Sequence, residues 1–109
     1  MWIVTKGAFL SIVSKDCGPD ELLVRARRPG DIEKVFPQVK VVEGAGTDYR
    51  CRAVIKRQTV AEAIANEVEA VDYGNFKTAV YRAGEYQLET VLHRVWDCFL
   101  RLAPGGRMG

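Results

Sequence analysis

Two segments 29 residues apart carry the same alternation of apolar and polar side chains: Leu22-Leu23-Val24-Arg25-Ala26-Arg27-Arg28, and Cys51-Arg52-Ala53-Val54-Ile55-Lys56-Arg57. Successive side chains of a strand point to opposite faces, so Leu22, Val24 and Ala26, like Cys51, Ala53 and Ile55, form one phase and turn towards a core. Arg25, Arg27, Arg50, Arg52 and Lys56 take the other phase and turn towards water. A chain with two such strands requires a sheet with one dry face and one basic face. The same offset lays Ile32 on Ala61 and Val35 on Ile64, so the chain reads as two strand-strand-helix units. The match lies in apolar phase rather than identity, and any two such units with equal loops would align similarly.

The flanking segments fill in each unit. Residues 8–13 have strand composition and end in a cluster of turn formers, Ser14-Lys15-Asp16-Cys17-Gly18-Pro19-Asp20, which predicts a hairpin. Pro29-Gly30 opens a short helix over 31–36, with Asp31 and Glu33 suited to the dipole of its first turn, and Pro37 ends it. In the second unit a strand is expected over 39–42, a hairpin loop at Gly44-Ala45-Gly46-Thr47, and a long strand over 48–57 that places Tyr49 in the core phase with Cys51. Thr59-Val60-Ala61-Glu62 reads as a capping box, leading a helix whose stripe is Ala61, Ile64, Ala65, Val68 and Val71. A connector at 72–75 precedes a short helix over 76–81 capped by Asn75. A final helix over 85–102, with Leu88, Val91, Leu92, Val95, Trp96, Phe99 and Leu102 in a stripe, is expected to close the core. The fold class is therefore α+β: an antiparallel sheet from two strand-strand-helix units, helices on one face, and a C-terminal amphipathic helix. One domain is expected over 1–103, with 104–109 a frayed tail.

Composition is that of an ordinary globular chain, 48% hydrophobic and 28% charged over 109 residues. Its three cysteines, Cys17, Cys51 and Cys98, form no C-x-x-C pair, which favours a reducing compartment. The start lacks the basic and apolar regions of a signal peptide, and no apolar run reaches membrane-spanning length, so a cytoplasmic protein without membrane contact is expected. The net charge of +2 conceals segregation: residues 21–57 balance to +4 and 58–72 to −4. Such segregation bears on partners rather than on fold.

Arginine forks suit carboxylate and phosphate, which makes Arg25, Arg27, Arg50, Arg52 and Lys56 the first candidate site. A nucleic-acid reader usually adds exposed aromatics for stacking, and the alternation assigns none to the outward phase. Asp72, Tyr73, Asn75 and Lys77 form the least periodic stretch and are a second candidate, a recognition loop; the plainer reading is a connector with an Asn cap and an aromatic plug. Glu89, His93 and Asp97, four residues apart, line one strip of the last helix, as an ion-pair strip or a weak metal site; with no second ligand cluster, no metal is assigned. Of the cysteines, only Cys17 lies where a nucleophile could work, and nothing in sequence ties it to the single histidine. Gly44-Ala45-Gly46-Thr47 runs into a strand rather than a helix, which argues against a phosphate loop.

Trp2, Thr5, Gly7, Phe9 and Ser11, then Val24-Arg25-Ala26-Arg27, Gly46-Thr47-Asp48-Tyr49, Asp72-Tyr73 with Asn75-Phe76-Lys77, and Val95-Trp96 together resemble a family of small uncharacterised bacterial proteins. The likeness spans nearly the whole chain. In that family a tryptophan or proline-tryptophan pair often follows the Asp-Tyr, where Arg50-Cys51 stands here. The resemblance implies a single compact domain and carries no catalytic or binding residue.

The residues thus lead to three expectations: a non-catalytic module, without cofactor, binding an acidic protein partner through the arginine face; a sequence-independent nucleic-acid binder or phage-type inhibitor of nucleic-acid machinery; or a small enzyme or metal-binding protein using His93. The last helix or an unpaired edge strand could equally serve a homodimer.

Overall fold

The computed structural model describes residues 1–44 and 48–105. Strands β1 (Trp2–Val4), β2 (Phe9–Val13), β3 (Glu21–Ala26), β4 (Val42–Glu43) and β5 (Cys51–Lys56) form one antiparallel sheet in the order β1-β2-β3-β5-β4. Helices α1 (Asp31–Val35) and α2 (Arg57–Glu69) complete a first compact unit, Met1–Asp72. Helices α3 (Phe76–Arg82) and α4 (Tyr86–Phe99), with a 3-10 turn at Leu100–Leu102, form a second, Tyr73–Gly109.

The two alternating strands are neighbours at the centre of the sheet. Val24 pairs with Ala53, Leu22 with Ile55 and Ala26 with Cys51. The pairing centres on the residues that the 29-residue offset makes equivalent, as a pseudo-two-fold axis between β3 and β5 requires. Both helices lie on the same side, where Ile32, Val35, Phe36 and Val60 bury with Leu10, Ile12, Val24, Ala26, Cys51, Ala53 and Ile55. The fold class is α+β as read from the pattern.

Local chemistry explains the turns. Between β2 and β3 the Glu21 side chain accepts the Gly18 N–H (2.8 Å), while the Glu21 N–H donates to the Gly18 carbonyl (3.1 Å). Gly30, at φ 94°, supplies the left-handed step that opens α1. Here the acid of the first turn does more than face the dipole. Asp31 is buried, and its carboxylate accepts the Phe9 N–H (3.1 Å), bonds Arg28 (3.0 and 3.2 Å) and lies 3.8 Å from Lys34.

The element boundaries differ from the pattern in four places. Trp2–Val4 is an edge strand that the turn-and-alternation reading left out, paired with β2 through Ile3 and Leu10. The strand expected over 39–42 is only Val42–Glu43, and the long strand over 48–57 is Cys51–Lys56. The chain passes straight from β5 into α2, so Thr59 sits inside the helix and its capping box does not form; Lys56 is the N-cap, without a side-chain bond. The Arg57 N–H donates instead to the Asp20 carbonyl (2.7 Å), which satisfies an orphan donor of the first turn. This direct exit also sets the helix's rotation. Val60, Ala63 and Ile64 turn inward, while Val68 and Val71, assigned to the buried stripe, stay exposed. Residues 45–47 and 106–109, which hold most of the expected hairpin loop and tail, lie outside the described residues.

In the second unit Asn75 caps α3 as its sequence position predicts, its Oδ1 accepting the Thr78 N–H at 2.9 Å. Gly84, at φ 78°, allows the chain to leave α3 for α4. Ala79, Val80 and Leu88 are buried. The rest of the long stripe is not: Val91, Trp96, Phe99 and Leu102 are each at least half exposed, and the buried cluster of the first unit is drawn from its own elements. Asn75→Ala should destabilise the helical unit by about 1 kcal/mol. Hydrogen exchange would show this as roughly fivefold faster exchange at Thr78 and its neighbours, with the sheet amides unchanged.

Candidate contact face

The face of the sheet turned away from α1 and α2 is organised in rows across the strands. One row runs through all five: Trp2 pairs with Ser11, Ser11 with Arg25, Arg25 with Arg52, and Arg52 with Val42. At about 4.8 Å between strands, Trp2 and Arg52 lie about 14 Å apart along this row. To one side stands the pair Val4 and Phe9, to the other Val13, Leu23 and Val54, and beyond these Glu21 opposite Lys56.

Three arginines converge on Tyr49. The guanidinium of Arg25 lies 4.5 Å from the centre of its ring and that of Arg27 lies 4.7 Å away, while Arg52 Nε donates to its carbonyl at 3.3 Å. Arg25 Nη2 also donates to Ser11 Oγ (2.9 Å), and Arg25 Nε is buried without a hydrogen-bond partner. Like charges directly opposite in a ladder repel, as Arg25 and Arg52 do here. The ring, the serine and the carbonyl offset this without neutralising it: among the described residues no carboxylate pairs with Arg25, Arg27, Arg50, Arg52 or Lys56. Arg28 and Lys34, by contrast, meet the carboxylate of the buried Asp31.

Arg50 is exposed between Tyr49 and β5, with its carbonyl accepting the Gly44 N–H. Lys56 stands apart from the arginines, about 13 Å along β5 from Arg52. It lines a concavity of about 620 Å³ with Gly18, Pro19, Asp20, Arg57 and Gln58.

The alternation missed the aromatics of this face. Tyr49 is buried as expected, but against arginines rather than in the core: the β3–β5 ladder begins at Cys51, so Tyr49 lies outside it and is free of the strand's parity. Trp2 and Phe9 meet edge to face, with ring centres 5.7 Å apart, and Trp2 is 66% exposed. The signal available in the sequence was the run Trp2-Ile3-Val4, whose strand formers put Trp2 and Val4 on the same parity.

Three of the second candidate set, Tyr73, Asn75 and Lys77, are engaged within the helical unit. Tyr73 packs on Phe76 (5.8 Å), Asn75 caps α3, and Lys77 Nζ lies 4.3 Å from the centre of the Trp96 ring; Asp72 is exposed. Glu89, His93 and Asp97 follow one another along α4, and no hydrogen bond or ion pair joins them among the described residues. No three His, Cys, Asp or Glu side chains gather as a metal site among those residues. Burial, and then the carboxylates of Glu43 and Glu33, push the Cys51 thiol above its ordinary value and keep it protonated in the core. Cys17 donates to the Glu21 carbonyl, and Cys98 is exposed on α4. No described helix is long and apolar enough to cross a membrane.

Comparison of the chain with protein-family models, curated proteins and solved structures finds no match.

Proposed function

We propose that the protein is a small non-catalytic binding module that engages an acidic partner through the outer face of its sheet. The observation that supports this reading is the meeting of Arg25, Arg27 and Arg52 at Tyr49, where among the described residues no carboxylate pairs with them. Concentrating like charge on one face costs folding energy and gains affinity for an opposite charge. The tyrosine and Ser11 hold the guanidinium groups in place, so less side-chain freedom is lost when a ligand arrives. The same reading places the protein in the cytoplasm, where three unbridged cysteines remain reduced.

Retention on a heparin column tests the face. Arg27→Glu/Arg52→Glu should elute at markedly lower salt than Lys15→Glu/Lys40→Glu, which makes the same change in net charge at exposed positions away from the row. Coincident elution of the two double variants would mean that retention follows net charge alone and that the face is not the binding surface.

A further inference from the structure

We infer that the acidic partner is single-stranded nucleic acid, lying across the strands with an unpaired base against Trp2 and its phosphates at Arg25 and Arg52. This rests on the binding reading above and adds the chemistry of the partner. An acidic polypeptide would account for the arginines, but not for what stands at the end of their row. Trp2 is held edge to face by Phe9 and remains 66% exposed, in register with Ser11, Arg25 and Arg52. Exposed aromatics beside a track of cations are how sheet surfaces hold single strands: rings take base faces, and guanidinium groups take phosphates. A duplex hides its base faces, so the same surface favours a single strand.

The dimensions agree. A stacked strand advances about 3.4 Å per nucleotide, so the row of about 14 Å accommodates roughly four nucleotides. Arg52 commits only its Nε, to the Tyr49 carbonyl, which leaves its terminal amino groups for a phosphate. Arg25 is fixed by Ser11 and Tyr49, and Arg27 lies exposed over the same ring. None of these contacts reads a base edge, so binding is independent of sequence.

Fluorescence anisotropy with a labelled twelve-nucleotide oligothymidylate tests this, with poly-L-glutamate and a twelve-base-pair duplex as competitors. The wild-type chain should bind the oligonucleotide more tightly than either competitor. Trp2→Ala should weaken binding about tenfold with its salt dependence unchanged, and Trp2→Phe should restore most of it. Arg52→Ala should weaken binding and reduce the slope of log K against log salt by about 0.7, the contribution of one phosphate on a single strand. In a Trp96→Phe background, the oligonucleotide should quench the remaining indole. Binding of oligothymidylate that ignores Trp2→Ala would overturn the placement of a base on Trp2. Arginine-dependent binding of poly-L-glutamate without binding of the oligonucleotide would overturn the nucleic-acid inference and leave the acidic-partner reading standing. Binding of neither probe would overturn both.

Discussion

Asp31→Ala is expected to destabilise the sheet-bearing unit by about 2–4 kcal/mol, the loss of charge-assisted hydrogen bonds to a buried carboxylate whose cationic partners are partly exposed. Asp31 is 2% exposed and joins three parts of that unit. One oxygen accepts the Phe9 N–H at the start of β2 and Arg28 Nε, and the other meets Arg28 Nη2 and, at 3.8 Å, Lys34 Nζ. Both cations also donate to the Gly7 carbonyl, Arg28 at 3.3 Å and Lys34 at 2.9 Å, which ties in the loop between β1 and β2. Alanine removes the acceptor and leaves a partly buried guanidinium and an unpaired backbone donor. Small domains are stable by only about 5–15 kcal/mol, so much of the variant should be unfolded at mild urea concentrations that leave the wild type native. Asp31→Asn, which can still accept from Phe9, should lose less. A loss below about 1 kcal/mol for the alanine variant, measured by urea denaturation, would show that the cluster does not hold the unit together.

The second large effect is expected at Tyr49. Removing a buried aromatic ring costs about 3 kcal/mol or more, and here it also removes the surface on which Arg25 and Arg27 rest. Tyr49→Ala should lower the melting temperature by roughly 15 °C. It should also weaken anion binding, because the freed guanidinium groups must be ordered when the ligand binds. Tyr49→Phe keeps the ring and should stay within about 1 kcal/mol of the wild type, with binding intact. The pair therefore separates the ring from the hydroxyl. Equal loss in both variants would put the weight on the hydroxyl and contradict the stacking account.

Both residues are conspicuous in the sequence, but neither shows its role there. Asp31 reads as an ordinary first-turn acid because its helix dipole suits a carboxylate whether or not it is exposed. Its burial depends on Phe9 and Gly7, more than twenty residues earlier in the chain. Tyr49 reads as a core residue because alternation was extended past the end of the strand. Trp2 gives no periodic signal, because a strand of three residues is too short for alternation to register. Thr59 stands in a capping-box pattern yet forms no cap, because a helix can begin directly from a strand when a neighbouring carbonyl, here that of Asp20, meets its first free N–H.

The arginine phase illustrates the division most clearly. That Arg25 and Arg52 face away from Val24 and Ala53 was determined by the sequence alone, since opposite-facing neighbours are a property of any extended backbone. So were the hairpin turn at 14–20, the break at Pro37 and the Asn75 cap, each a matter of the local preferences of residues adjacent in sequence. Only the tertiary structure decided that Arg25 stands opposite Arg52, that Ser11 and Trp2 extend their row, and that Tyr49 lies beneath the guanidinium groups. Register and adjacency come from closing loops and burying a shared core, and those free energies are summed over residues far apart in the chain.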